Sequence, residues 1–184
     1  MNAPLAYYPG FIKNPNEAFH TLWNELDWLR VAPRREYYCH DANKPYTYGS
    51  GRGERTYTAQ PYHPLLKAHR HQLEDFTNTS FEVLFLNGYE DNRDHLGNHS
   101  DVSDPKKPIA IISLGAEREI WFTRKDEVKD PSKRIVLKLE SGSLCLMLSG
   151  MQEDWFHRIP KASFICSPRI SETFRGDIDV GLAP

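Results

Sequence analysis

Apolar residues recur at two different periods along this chain, and the change of period divides it. In residues 14–29, NPNEAFHTLWNELDWL, the residues Phe19, Leu22, Trp23, Leu26 and Leu29 fall on one helical face. Asn14 is placed to cap that helix, Pro15 takes its first position and Glu17 follows three residues after the cap. A second helix is predicted over residues 64–76, with Leu66, His69, Leu73 and Phe76 on one side. Between the two lies a stretch rich in Tyr, Gly, Pro and Arg, expected to form short strands joined by tight glycine turns. From Phe81 onward the period shortens. FEVLFLN, PIAIISLG, EIWFT, RIVLKLE, SLCLMLS and RISETFR are β-rich runs separated by polar or Pro/Gly punctuation. Strands so spaced, following two helices, predict an antiparallel double sheet, mainly β with flanking helices (α+β). The expected architecture is a single domain over 1–184, with helices and a recognition flap in 1–80 and a jelly-roll core in 81–184.

Composition changes this picture little. At 184 residues, 39% apolar and 26% charged, the chain reads as one globular unit with a core of its own. No apolar run is long enough to span a bilayer, and MNAPLAYYPG lacks the basic start and apolar stretch of a secretory signal. Cys39, Cys145 and Cys166 are odd in number and form no C-x-x-C pair, which favours a reducing compartment. The expected location is the cytoplasm, or the nucleus in a eukaryote, rather than the secretory route. The expected state is a monomer.

Charge is uneven. Between residues 30 and 70, Arg30, Arg34, Arg35, Lys44, Arg52, Arg55, Lys67 and Arg70 face only Glu36, Asp41 and Glu54, a local +5 in a chain of net charge −2. Such a segment fits a face that meets a polyanion, and it fits a solvated basic surface equally well.

Chemistry concentrates at three places. In NHSD, His99 and Asp101 are two apart, so in a strand both side chains leave the same face. His157, in WFHRIP, is a candidate third ligand, and two histidines with one carboxylate make a facial triad suited to non-haem Fe(II). The chain has eight histidines, so the H-x-D pattern alone also fits a polar turn. In RISETFR, Arg169 and Arg175 are six apart with Ser171 and Thr173 between them, all on one strand face. Two arginines aimed into a barrel need anionic partners, which a small dicarboxylate supplies. Salt bridges on an edge strand satisfy the same spacing.

Taken together, NGYEDNRDHLGNHSD, WFHRIP and RISETFR resemble the AlkB family of Fe(II)/2-oxoglutarate dioxygenases, over about residues 33–175. The resemblance implies a double-stranded β-helix, with Fe(II) held by His99, Asp101 and His157, and O2 and 2-oxoglutarate as co-substrates. It pairs Arg169 with Tyr89 at the distal carboxylate of 2-oxoglutarate, and Arg175 with Asn87 at the carboxylate nearer the iron. Ser171 stands where an asparagine commonly helps, and its hydroxyl keeps a donor there. The implied reaction hydroxylates an N-alkyl carbon on a nucleic-acid base, and the adduct falls apart to aldehyde and bare nitrogen.

The same resemblance makes Tyr48, in YTYGSG, the ring that stacks on the flipped base opposite His99, and lays Arg34, Arg52 and Arg55 along phosphates. Ser103 occupies a place near the base where relatives usually carry an acid. Relatives acting on duplexes insert a long hairpin before the PR motif, whereas here the helix is expected to reach Leu29, leaving no room before Ala32. Single-stranded DNA or RNA is therefore the expected substrate. Two rival readings stand beside it: an oxygenase of the same chemistry acting on a protein or small molecule, and a catalytically dead jelly-roll binding module.

Overall fold

The computed structural model describes residues 3–31, 34–48 and 54–177, with the backbone alone at Val31 and Tyr48. Its largest sheet runs in the order β1 (Leu5–Tyr8), β11 (Leu144–Met147), β8 (Ile109–Gly115), β13 (Arg169–Arg175), β6 (Val83–Tyr89), β3 (Arg34–His40), β2 (Leu29–Val31). A second sheet follows the order β10 (Ile135–Leu139), β9 (Arg118–Arg124), β12 (Trp155–Ile159), β7 (Leu96–His99), and β4 (Tyr46–Tyr48) with β5 (Arg55–Tyr57) forms a separate ribbon. Every one of these pairings is antiparallel. The chain is thus mainly β with few helices, as the short apolar runs predicted.

The central strands of the large sheet are covered on both sides, so β6 and β13 are buried at every position. Their outward residues, among them Leu84, Leu86, Ile170 and Phe174, pack with Phe19 and Leu22 of α1 (Pro15–Glu25) and Leu66 and Leu73 of α2 (Pro64–Thr77). Inward residues of β8 and β11, such as Ile111 and Met147, meet Ile120, Phe122, Trp155 and Ile159 of the second sheet. Two buried polar residues meet in the outer core. Glu172, fully buried on β13, receives His69 of α2, whose Nδ1 lies 3.0 Å from both carboxylate oxygens. Burial alone would lower the His69 pKa, but the charge of Glu172 and its hydrogen bond outweigh it and raise the value above 6.5.

Several expectations are corrected here. The first helix stops at Glu25 instead of reaching Leu29: Leu26 is extended at φ −79° and ψ 140°, and the Trp28 indole donates to the Leu22 carbonyl at 3.2 Å. Leu29, 40% exposed, starts β2, and Asn14 makes no side-chain capping bond. β2 and β3 pair with Val31 opposite Arg34, so a short hairpin does precede the arginine motif, its two connecting residues lying outside the described segments. The division at residue 80 also fails to follow the sheets, because β1, β2 and β3 are strands of the large one. Phe76, placed on the buried helix face by its spacing, is half exposed and packs edge-on against Tyr8 and Phe11.

Candidate metal centre and its cleft

β7 and β12 bring His99 directly opposite His157, with ring centroids 4.1 Å apart. Ligand atoms of His99, Asp101 and His157 all lie within 4.8 Å of one another. Asp101 is not in the strand, as simple alternation supposed, but just beyond its end. Its N–H donates to Gln152 Oε1 at 2.8 Å, and the neighbouring Ser100 hydroxyl donates to the Trp155 carbonyl at 2.9 Å. Gln152 belongs to α3 (Met151–Asp154), a single turn too short to leave a periodic signal, so this turn aims the carboxylate.

Protonation suits metal binding. The His99 Nδ1–H donates to the Gly97 carbonyl at 2.9 Å, which leaves Nε2 as the free lone pair toward Asp101, 3.9 Å away. Burial, reinforced by the adjacent His157, pushes the His99 pKa down to about 4, so the ring is neutral at pH 7. Burial would raise the Asp101 carboxyl, but Arg175 and then His157 hold it well below the usual carboxylate range. Two imidazoles and one carboxylate on one side of an ion leave its remaining positions open, which is the donor set of a non-haem Fe(II) site.

Beyond the triad opens a cleft with about 660 Å³ of empty volume. Its walls include Asn87, Tyr89, Ser171, Thr173 and Arg175 of the large sheet, and Leu96, Ile120 and Ile159 of the second. Arg175 Nη1 donates to Asp101 Oδ1 at 3.3 Å, while its Nε is buried without a protein partner. Arg169 stands behind the wall, opposite Tyr89 in the β13–β6 register, its guanidinium 5.3 Å from the tyrosine ring. It donates to Ser113 Oγ at 2.9 Å, yet its Nε and Nη1 are buried with no partner, and burial brings its pKa down to about 10. Gly115 fixes the local chain path, since at φ +88° a Cβ would come 2.5 Å from the Pro168 carbonyl, next to Arg169. Arg118 ties down the same end by donating to the Asp91, Asp94 and Pro160 carbonyls at 3.2, 2.9 and 2.6 Å, on the loops that flank β7 and β12.

Residues 7–175 match the 2OG-Fe(II) oxygenase superfamily. The DNA oxidative demethylase ALKBH2 of Homo sapiens is 34% identical over 155 residues, covering 80% of this chain and 58% of that protein. The alpha-ketoglutarate-dependent dioxygenase alkB homolog 3 of Bos taurus is 30% identical over 189 residues, covering 91% and 64%. This chain belongs to the AlkB family of 2OG-Fe(II) oxygenases. A solved structure described as "The structure of OsALKBH1" shares the fold at TM-score 0.63 and 16% identity, over 95% of this chain and 99% of that one. The chain spans less than two thirds of the length of the curated relatives it matches.

The family's two groups fit the residues present. The His99, Asp101, His157 donor set suits Fe(II), and the partnerless guanidinium nitrogens of Arg169 and Arg175 suit the carboxylates of 2-oxoglutarate. Other members of the expected AlkB site fall differently. Asn87, expected beside Arg175, instead accepts from Arg34 Nε at 2.6 Å. Arg34 itself is turned inward, paired with Glu36 at 2.9 Å, and is not free to lie along a phosphate. Its place on β3, with Glu36 two residues on and on the same strand face, draws it to that buried carboxylate. Ser103 lies in the turn after Asp101, outside the cleft wall. Arg55 is exposed on β5, while Arg52 and the Tyr48 side chain lie outside the described residues. Trp155 is buried in the core between the sheets.

The +5 segment is also largely neutralised by its surroundings. Arg30 and Arg35 share Glu90, Lys44 binds Asp177 at 2.5 Å, and Arg70 pairs with Asp41. Sequence reasoning missed Glu36 and Tyr57 in the cleft altogether. The signal was there: Arg34, Glu36 and Tyr38 alternate along one strand, and a carboxylate in that row had to face inward.

Proposed function

We propose that this protein is an Fe(II)- and 2-oxoglutarate-dependent dioxygenase that oxidatively removes N-alkyl groups from nucleic-acid bases, acting on single strands in preference to duplexes. The observation that carries the reading is the convergence of His99, Asp101 and His157 at a cleft backed by two buried, incompletely paired arginines. When bound, the metal and its co-substrate supply an oxidant able to hydroxylate a carbon attached to nitrogen. The chain's own residues do the rest. His99 and His157 offer imidazole nitrogens, and Asp101 offers a carboxylate that Arg175 orients and keeps ionised. Arg175 and Arg169 are the partners for the co-substrate's carboxylates, with the Ser171 hydroxyl between them on β13. Phe85, Ile111, Ile120 and Ile159 exclude water from the reacting space.

The fold is read as a double-stranded β-helix in one unit, and the protein as a monomer. The strand preference rests on the hairpin before the arginine motif. Its strands are joined by Ala32 and Pro33 alone, too few residues to carry a long aromatic wedge. Mass spectrometry of short methylated oligonucleotides after incubation with protein, Fe(II) and 2-oxoglutarate tests the proposal. Loss of the methyl group from a single strand is the expected result, and no loss from any alkylated DNA or RNA contradicts it. One observation favours a second reading, the same chemistry on a protein or small molecule: most described cations of the basic segment are already paired with acids. In that case 2-oxoglutarate turnover proceeds and oligonucleotides fail to compete with it.

A further inference from the structure

We infer that Glu36 reads the substrate, making the cleft selective for an alkylated base that presents an exocyclic amino group over one that presents a carbonyl there. This rests on the nucleic-acid reading above.

Among the described residues two carboxylates line the cleft, Asp101 and Glu36. Asp101 belongs to the metal triad. Glu36 is 1% exposed and is pinned from two sides: Arg34 Nη2 reaches Oε1 at 2.9 Å, and the Tyr57 hydroxyl donates to Oε2 at 2.6 Å. An ionised carboxylate accepts about four hydrogen bonds, so these two leave each oxygen with a further lone pair. Arg34 is itself held by Asn87, and Tyr57 stands on β5, so donors from the sheet and from the ribbon fix the carboxylate plane. It is a rigid acceptor rather than a flexible one.

Position supports the same role. Across the large sheet Glu36 pairs with Asn87, and Asn87 with Ser171. Glu36 therefore sits two strands, roughly 10 Å, from the row that faces the co-substrate, on the same wall of the same cleft. Ser103, the place where an acid near the base was expected, lies off that wall, and so does Asp104. The anionic acceptor has moved from the turn after the triad to β3. Because Arg34 cancels the net charge of Glu36, discrimination comes from the directed hydrogen bond more than from attraction to positive charge.

N3-methylcytosine and N3-methyluracil carry the methyl group at the same ring atom; at C4 the first has an amino group and the second an oxygen, and near neutral pH the first is also a cation. A carbonyl oxygen aimed at Glu36 has nothing to donate and leaves two acceptors facing each other. Binding of fluorescent single strands containing each base, measured by anisotropy with Mn(II) and 2-oxoglutarate present and no turnover, is the test. Wild-type protein is expected to hold the methylcytosine strand about ten- to a hundredfold more tightly. Glu36→Gln, whose amide has one acceptor where the carboxylate had two, is expected to bring the two strands to within about threefold. Its affinity for the methyluracil strand does not fall, because the amide N–H can donate to the carbonyl that faced the carboxylate, and its calorimetric affinity for Mn(II) stays unchanged. Equal wild-type affinities overturn the inference without need of a variant, as does a Glu36→Gln loss that falls equally on both strands. If wild-type protein consumes 2-oxoglutarate but neither binds nor demethylates any alkylated strand, the nucleic-acid reading fails and this inference with it. Demethylation of both strands at equal efficiency sinks the inference alone.

Discussion

Arg169→Met is expected to make the ligand-free protein more stable while cutting its response to 2-oxoglutarate by about half or more. The wild-type guanidinium is fully buried, donates to Ser113 Oγ, lies against Tyr89 and leaves Nε and Nη1 without partners. Each unsatisfied buried donor costs about 1–3 kcal/mol, and the single bond returns about 1–1.5 kcal/mol. An unbranched thioether fills much of the same space without those costs. The net gain is roughly 1–4 kcal/mol, or a Tm higher by roughly 2–15 °C for a domain of this size. Saturating wild-type protein with 2-oxoglutarate at about a hundred times its Kd contributes about 2.7 kcal/mol, roughly 5–10 °C. In the variant that increment falls to about 1.4 kcal/mol or less, because a lost charge-assisted bond lowers affinity about ten- to more than a hundredfold. Differential scanning calorimetry with Mn(II), with and without 2-oxoglutarate, reads both effects. A variant that loses several degrees when ligand-free, yet gains as much from 2-oxoglutarate as wild type, refutes the assignment of Arg169 to a carboxylate.

His99→Ala, Asp101→Ala and His157→Ala are each expected to lose stoichiometric metal binding by calorimetric titration; wild-type affinity in His157→Ala removes it as a ligand. Arg118→Leu strands three carbonyls beside the loops that flank β7 and β12, and is expected to cost about 3–5 kcal/mol in urea unfolding; a loss under 1 kcal/mol shows that the loops hold themselves. Because the folded His69 pKa is raised above its unfolded value, the stability from its pairing with Glu172 is complete below about pH 6.5 and is lost as pH rises through the folded value. Unfolding free energy between pH 6 and 9 is thus expected to fall in wild type but not in His69→Gln, and identical slopes contradict this. Demethylation is expected to run faster on a single strand than on the same strand annealed to its complement, and equal rates point to another element that opens the duplex.

The metal triad was legible because its chemistry needs particular residue types in a particular order, and H-x-D with a later histidine keeps that order here. The strands were legible because short β-rich runs, continuous where both faces are buried as in β6 and β8 and alternating in β12, stand between polar or Pro/Gly breaks. What escaped depends on distant partners. Leu29 continues the helical spacing of Leu26, but its backbone pairs with Glu36, which no local period records. Residues 5–8 form a strand only because residues 144–147 lie beside them. A summed charge of +5 could not reveal that Glu90 and Asp177, far along the chain, neutralise Arg30, Arg35 and Lys44. Asp101 owes its aim to Gln152, fifty-one residues on, in a turn four residues long. The alternation of Arg34, Glu36 and Tyr38 was visible, yet Glu36 counted only as one negative charge among many.

Succinate formation in the presence of Fe(II), 2-oxoglutarate and a single-stranded oligonucleotide, with and without one N3-methylcytosine, tests the central claim most directly. The account predicts that the methylated strand stimulates succinate release, that one methyl group is lost per succinate in excess of background, and that His157→Ala shows neither. Succinate release that is the same with the methylated strand, the unmethylated strand or no strand at all contradicts it.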